Sequence, residues 1–191
     1  GGLENLSTYK NINVLDEASF SFDLSVADFY YSLFNGNTLV GLDSASKEDY
    51  VKIFDVLKFE NINLIVATPT FAKLLVLEKD FNDRNFKSLK CIYFCGETLD
   101  VKLVKKLKDR FKGIKIINAY GPTEATSAVS GILIDDYMLN EDYLPVGRIS
   151  TAATKIDIEN DEIVLSGPSV FGGYIGDICG GYFKRNRKRL L

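Results

Sequence analysis

The chain has 191 residues, 46% of them hydrophobic and 26% charged, which is the composition of a folded domain with a sizeable core and excludes a disordered chain. It contains no histidine and three cysteines, Cys91, Cys95 and Cys179. That excludes Ser-His-Asp and Cys-His catalysis, and it suggests neither a disulfide framework nor a four-ligand zinc site.

The net charge of -3 is unevenly spread. Lys184, Arg185, Arg187, Lys188 and Arg189 crowd the last eight residues, whereas the preceding 183 residues carry 18 basic against 26 acidic side chains. An acidic body argues against nucleic acid as a partner. The basic tail lacks aromatic interleaving and amphipathic spacing, so it reads as a solvated segment. No run of about 18 apolar residues and no basic-then-apolar amino terminus occurs, so neither a membrane span nor a signal peptide is expected. The cysteine usage suits a reducing, cytoplasmic setting. A start at Gly1-Gly2 without Met suits a cleaved or trimmed chain.

Residues 20–158 alternate short β-branched or aromatic runs with longer amphipathic stretches, the pattern of parallel strands joined by crossover helices. Phe20 to Phe22 reads as a short strand. Leu24 to Phe34 reads as a helix with Leu24, Ala27, Tyr31 and Phe34 at helical spacing, stopped by Asn35-Gly36. Thr38 to Leu42 is a strand, and Lys47 to Phe59 a helix with Ser46 as N-cap. Leu64 to Ala67 is a buried strand, followed at Pro69 by a helix to about Glu78. Cys91 to Phe94 is a strand, Val101 to Phe111 a helix and Ile114 to Ile117 a strand. Asn118 to Glu124 is then too rich in polar and turn residues to continue the sheet. Thr154 to Ile158 and Glu162 to Ser166 form an antiparallel hairpin about Glu159-Asn160-Asp161. The expectation is an α/β fold with a mostly parallel sheet over residues 1–150. The start of a small antiparallel β subdomain follows over 151–176, and a disordered basic tail over 177–191.

Ligands bind an open parallel sheet beyond the carboxyl ends of its strands, which selects three segments. Phe20-Ser21-Phe22-Asp23-Leu24-Ser25-Val26 puts an acid at a strand-to-helix junction, where Asp23 or Ser21 could equally be a helix cap. Tyr93-Phe94-Cys95-Gly96-Glu97 puts a thiol and a glycine directly after a strand. There the cysteine could be a small buried hydrophobe, while the glycine admits a flat ligand. Asn118-Ala119-Tyr120-Gly121-Pro122-Thr123-Glu124 gathers an amide, a phenol, a hydroxyl and a carboxylate on one turn. It is either a Gly-Pro turn in which Thr123 caps the next segment, or a set of nucleotide contacts.

These segments, with Leu144-Pro145-Val146-Gly147 and Gly167-Pro168-Ser169-Val170-Phe171-Gly172-Gly173-Tyr174, occur in the order and at the intervals found in the adenylate-forming enzymes. The chain resembles that family from about residue 18 to 176. Within it, cysteine before Gly-Glu together with Gly-Pro-Ser-Val is similar to the D-alanyl carrier protein ligases, or D-alanine–poly(phosphoribitol) ligases. The adenylation domains of nonribosomal peptide synthetases are a more distant likeness.

The resemblance implies an ATP- and Mg²⁺-dependent ligase that forms D-alanyl-AMP and passes D-alanine to the phosphopantetheine thiol of a carrier protein, feeding teichoic acid D-alanylation. By it, Asp23 holds the ammonium group of the amino acid and Cys95 lines the small side-chain pocket. Gly96 and Glu97 lie along the adenine, Asn118 bonds its exocyclic amine, Tyr120 stacks on it, and Gly121 belongs to the same nucleotide-binding turn. Thr123 contacts the α-phosphate and Glu124 holds the metal, these two being the catalytic pair. The family's Ser/Thr/Gly-rich phosphate loop, its ribose-binding Gly-Asp segment and its C-terminal domain with the catalytic lysine have no counterpart here. The chain alone is therefore expected to bind nucleotide weakly, if at all, and not to turn over. The rival expectations are an adenylation domain for another amino acid, and a non-catalytic relative that binds nucleotide or a partner.

Overall fold

The computed structural model describes residues 10–47, 49–149 and 154–173, and the backbone of 183–184 and 187–190. The expected boundary at 150/151, Tyr174 and Cys179 lie outside the described residues.

Seven strands form the main sheet: β1 (Asn13–Asp16), β2 (Thr38–Gly41), β3 (Leu64–Ala67), β4 (Cys91–Phe94), β5 (Lys115–Tyr120), β6 (Ser130–Leu133) and β7 (Arg148–Ile149). Their order is β2-β1-β3-β4-β5-β6-β7. The first five run parallel, and β6 and β7 are added antiparallel. The strand order reverses between β1 and β3, which is where a sheet of this kind opens a crevice.

Parity along the strands divides the core in two. Leu15, Ile65, Ala67, Ile92, Phe94 and Ile116 point to one face. There they meet α3 (Tyr50–Phe59), α4 (Pro69–Leu75) and α5 (Val101–Arg110), with a ring cluster of Phe54, Phe81, Phe86 and Phe111 beside them. Val14, Leu64, Val66, Cys91, Tyr93, Cys95, Ile117 and Ala119 point to the other face, which takes Leu24 and Tyr31 from α1 (Ser25–Asn35) and its approach. Because both faces of β3 and β4 are covered, both strands read as unbroken apolar runs.

Several elements differ from expectation. Phe20 to Phe22 is a turn, with Phe22 N–H donating to the Ser19 carbonyl at 2.8 Å, and both rings are largely exposed; the strand of this region is β1 instead. The helix from Lys47 is two pieces, α2 (Ser44–Lys47) and α3. The N-cap of α3 is Asp49, whose carboxylate accepts from the N–H groups of Val51 and Lys52. Asn118, Ala119 and Tyr120 do continue β5, because β6 pairs with them, Tyr120 opposite Ser130. Gly36 ends α1 in the left-handed region at φ 65°, as its position after Asn35 predicts.

The hairpin is β8 (Lys155–Glu159) and β9 (Glu162–Ser166), turning on Asn160 and Asp161 at φ 52° and 62°. The tail is not free of structure. β10 (Phe183–Lys184) and β11 (Arg187–Leu190) extend the hairpin, with β11 antiparallel to β9, since a two-stranded hairpin leaves an edge that further backbone can fill.

Candidate functional site

The loops after β1, β3, β4 and β5 meet at one rim. Cys95 follows β4 and is buried, and its thiol donates to the Ser127 carbonyl at 3.4 Å across from the turn that follows β5. The Cα of Gly96, at φ 94°, faces Phe22 and Thr68: an added Cβ would lie 4.0 Å from the Phe22 ring and 3.7 Å from the Thr68 methyl. Asp23 is close enough for its charge to act on the Cys95 thiol. Burial, the larger influence, pushes that thiol up to about 11, so at neutral pH Cys95 is an uncharged donor and not a thiolate nucleophile.

Asp23 does not cap α1. The first turn is closed by backbone bonds, Ser25 N–H to Phe22 and Val26 N–H to the Asp23 carbonyl, and no side-chain cap exists, so the half-buried carboxylate stays available. Ser21 pairs with the Ser19 hydroxyl at 2.9 Å instead of capping. Glu97 is tied to the start of α4, its carboxylate accepting from Thr70 N–H at 3.1 Å and Thr70 Oγ1 at 2.6 Å. Asn118 is 2% exposed and donates its amide to the Pro145 carbonyl at 2.9 Å, which leaves its amide oxygen as acceptor.

The turn after β5 is tightly built. Thr123–Ala125 is one 3-10 turn with Pro122 at its N-cap and no side-chain cap, so the exposed Thr123 hydroxyl is not a helix cap. Thr126 and Ser127 are both left-handed, at φ 64° and 63°, a conformation unusual for residues with side chains. Three contacts hold them there: the Cys95 thiol, the Val129 N–H on the Tyr120 carbonyl at 2.8 Å, and Thr126 Oγ1 on the Ser169 carbonyl at 2.9 Å. A Cβ on Gly121 would lie 2.6 Å from the Ser127 carbonyl oxygen and 2.7 Å from the Ala128 Cα, so only glycine fits under this loop. The Phe171 N–H donates to the Glu124 carbonyl at 2.9 Å, and Thr154 and Ser169 share a hydroxyl bond of 2.6 Å. With the small cluster of Ala125, Val129, Leu165 and Val170, these contacts attach the β8–β9 unit to the turn. Half-burial raises the Tyr120 phenol above its ordinary value, so it is a neutral ring at physiological pH.

A mostly apolar cavity of about 620 Å³ opens beside Cys95, between α1 and the turn. Ala27 and Tyr30 of α1, Tyr93 of β4, and Ser127 and Ala128 line it. Of these only Tyr93 falls within the three motifs, where it was given no role, and Ala27, Tyr30, Ser127 and Ala128 lie outside them. The signal was present in periodicity: Val26, Ala27 and Tyr30 recur at helical spacing beyond Asp23, and Tyr93 shares the strand face of Cys91 and Cys95.

The rim therefore combines a free carboxylate, a neutral thiol, a buried amide acceptor, a phenol ring and an exposed hydroxyl. Among the described residues no group of three or more His, Cys, Asp or Glu gathers as a metal cage. Glu124 is the carboxylate that the turn carries, and one carboxylate could hold a hard cation only together with other oxygen ligands. Among the described residues no helix is long and apolar enough to cross a membrane.

The profile of the AMP-binding enzyme family matches residues 7–175. Over 173 residues the chain is 39% identical to a D-alanine--D-alanyl carrier protein ligase of Bacillus cereus (strain AH187), covering 85% of this chain and 34% of that protein. Over 188 residues it is 38% identical to the ligase of the same name from Listeria monocytogenes serotype 4a (strain HCC23), covering 92% of this chain and 37% of that protein. The chain thus spans about a third of the length of these relatives. In fold it is similar to the Vibrio cholerae adenylation domain AlmE, solved in complex with glycyl-adenosine-5'-phosphate, at a TM-score of 0.83 with 23% identity. That likeness covers 98% of this chain and 39% of the other.

Proposed function

The chain belongs to the AMP-binding enzyme family, and on that premise we propose that it supplies the amino-acid and nucleotide site of an ATP-dependent ligase that activates D-alanine for a carrier-protein thiol. The observation that carries this reading is the meeting of Asp23, Cys95 and the Asn118–Glu124 turn at one rim beside an apolar cavity.

Asp23, uncommitted to a cap, pairs with the ammonium group of the amino acid, and the neutral Cys95 thiol bounds the space for a methyl side chain. The Asn118 amide oxygen accepts from the exocyclic amine of adenine, and the neutral Tyr120 ring stacks on its face. A carboxylate oxygen of D-alanine attacks the α-phosphorus of ATP, an O–P bond forms, and pyrophosphate leaves with the electrons of the bond that breaks. Thr123 Oγ1 donates to the α-phosphate oxygens as their charge grows, and Mg²⁺ at Glu124 would neutralise phosphate charge. A carrier thiol then attacks the acyl carbon and AMP leaves. Positioning and charge stabilisation supply the catalysis, so no histidine is required.

ATP–pyrophosphate exchange by the complete ligase with a panel of amino acids tests this. The reading requires D-alanine to be the preferred substrate. Preference for another amino acid supports a nonribosomal adenylation role, and no exchange with any of them supports a non-catalytic relative.

A further inference from the structure

The sheet face under α1 holds two carboxyl groups that the proposed chemistry does not use. Asp16 ends β1 with its side chain on the same face as Val14, and Asp28 lies in the first turn of α1 above it. They are 7% and 0% exposed. Asp28 Oδ1 accepts from the N–H of Phe29 at 2.7 Å. Asp28 Oδ2, Asp16 Oδ1 and, one helical turn along, Ser32 Oγ are buried and find no hydrogen-bond partner among the described residues. Two ionised carboxylates cannot rest like this beneath a helix, because each lacks water and each repels the other.

The surrounding elements offer little relief. Among the described residues, the charged groups that act on the pair are Glu17 in the loop after β1 and Lys47 at the end of α2. Lys47 acts on Asp16 and Glu17, while its ammonium group donates to the Ala18 carbonyl at 3.2 Å. β2 contributes no titratable side chain, and α1 itself contributes only Tyr30 and Tyr31. A metal ion would find two carboxylates and a hydroxyl, short of the six to eight oxygens that a hard cation such as Ca²⁺ takes. A proton needs no such shell.

We propose that Asp28 is a neutral carboxylic acid seated against Asp16, and that its ionisation is a built-in release of α1 from β1. Burial and then the Asp16 charge push Asp28 up to about 7, against the pull of the Phe29 N–H. The release reaches the site, since α1 starts two residues after Asp23 and carries Ala27 and Tyr30 of the cavity wall. An unfolded aspartate loses its proton near pH ~4 and the folded one near 7, so between those values the folded state binds more protons. Stability is therefore full below about pH 4, falls as pH rises towards 7, and loses nothing more from this group above it.

Urea unfolding of the 191-residue chain from pH 5 to pH 7, alongside Asp28→Asn, tests the release. The unfolding constant of the wild type should rise relative to the variant by about tenfold from pH 5 to pH 6 and about fivefold from pH 6 to pH 7, where the folded group is itself half ionised, or about fiftyfold across the range. Parallel profiles would overturn the proposal. Carbon NMR of the Asp28 carboxyl in the wild type gives a reading that needs no variant to fold: titration near 7 supports the proposal and titration near 4 refutes it. In Asp16→Asn the Asp28 midpoint should drop, and an unmoved midpoint would remove Asp16 from the device.

Discussion

Replacing Gly121 with alanine adds one methyl group where three backbone atoms already stand: the Ser127 carbonyl oxygen at 2.6 Å, the Ala128 Cα at 2.7 Å and the Val129 nitrogen at 2.8 Å. None of these is the far end of a flexible side chain, so the loop itself must move. The Ser127 carbonyl also accepts the Cys95 thiol, and the Val129 N–H bonds the Tyr120 carbonyl, so the shift breaks the contacts that hold Thr126 and Ser127 left-handed. Overpacking of this kind costs about 1 to 3 kcal/mol. For a domain of this size that is a fall in Tm of roughly 2 to 12 °C. The assay is thermal unfolding by circular dichroism, with Gly172→Ala as control, since nothing lies within 4 Å of a Cβ there. Equal Tm values for wild type and Gly121→Ala would refute the packing described for this turn.

Other outcomes follow from single contacts. Asn118→Ala removes the donor to the Pro145 carbonyl, which lies on an exposed residue and can turn to water, and should cost about 0.5 to 1.5 kcal/mol in urea unfolding. Asp49→Ala removes the cap of α3 and should cost about 1 kcal/mol, whereas Ser46→Ala should stay within about 0.5; the reverse order would restore Ser46 as the cap. Phe81→Ala empties the centre of the ring cluster and should cost about 3 to 5 kcal/mol, measured the same way. In the complete ligase, Asp23→Asn should raise the amino-acid KM by roughly 10- to 100-fold, the loss of one charged hydrogen bond, and leave the KM for ATP near its original value.

The parallel strands were legible because burial on both faces leaves an unmistakable apolar run, as in Leu64–Ala67 and Cys91–Phe94. The same logic failed at Phe20-Ser21-Phe22, where alternation imitates a strand but both rings lie in a turn. β1 was missed because it begins on Asn13 and ends on an acid, a burial that only α1 above it explains. The three site segments were found because loops at the carboxyl ends of parallel strands share a rim whatever the strands contain. Which of two meanings a residue carries was not legible: only the backbone closure of the first turn of α1 shows that Asp23 is not a cap. The Asp16–Asp28 pair was silent too, since the two acids share no spacing pattern and meet only through the packing of α1 on β1.

A crystal structure of the complete ligase with a non-hydrolysable D-alanyl adenylate analogue measures the central claim directly. The account predicts the ammonium group within hydrogen-bonding distance of the Asp23 carboxylate, the methyl group against Cys95, and the adenine on the Tyr120 ring with its amine at Asn118. An analogue bound away from any one of these three segments would contradict it.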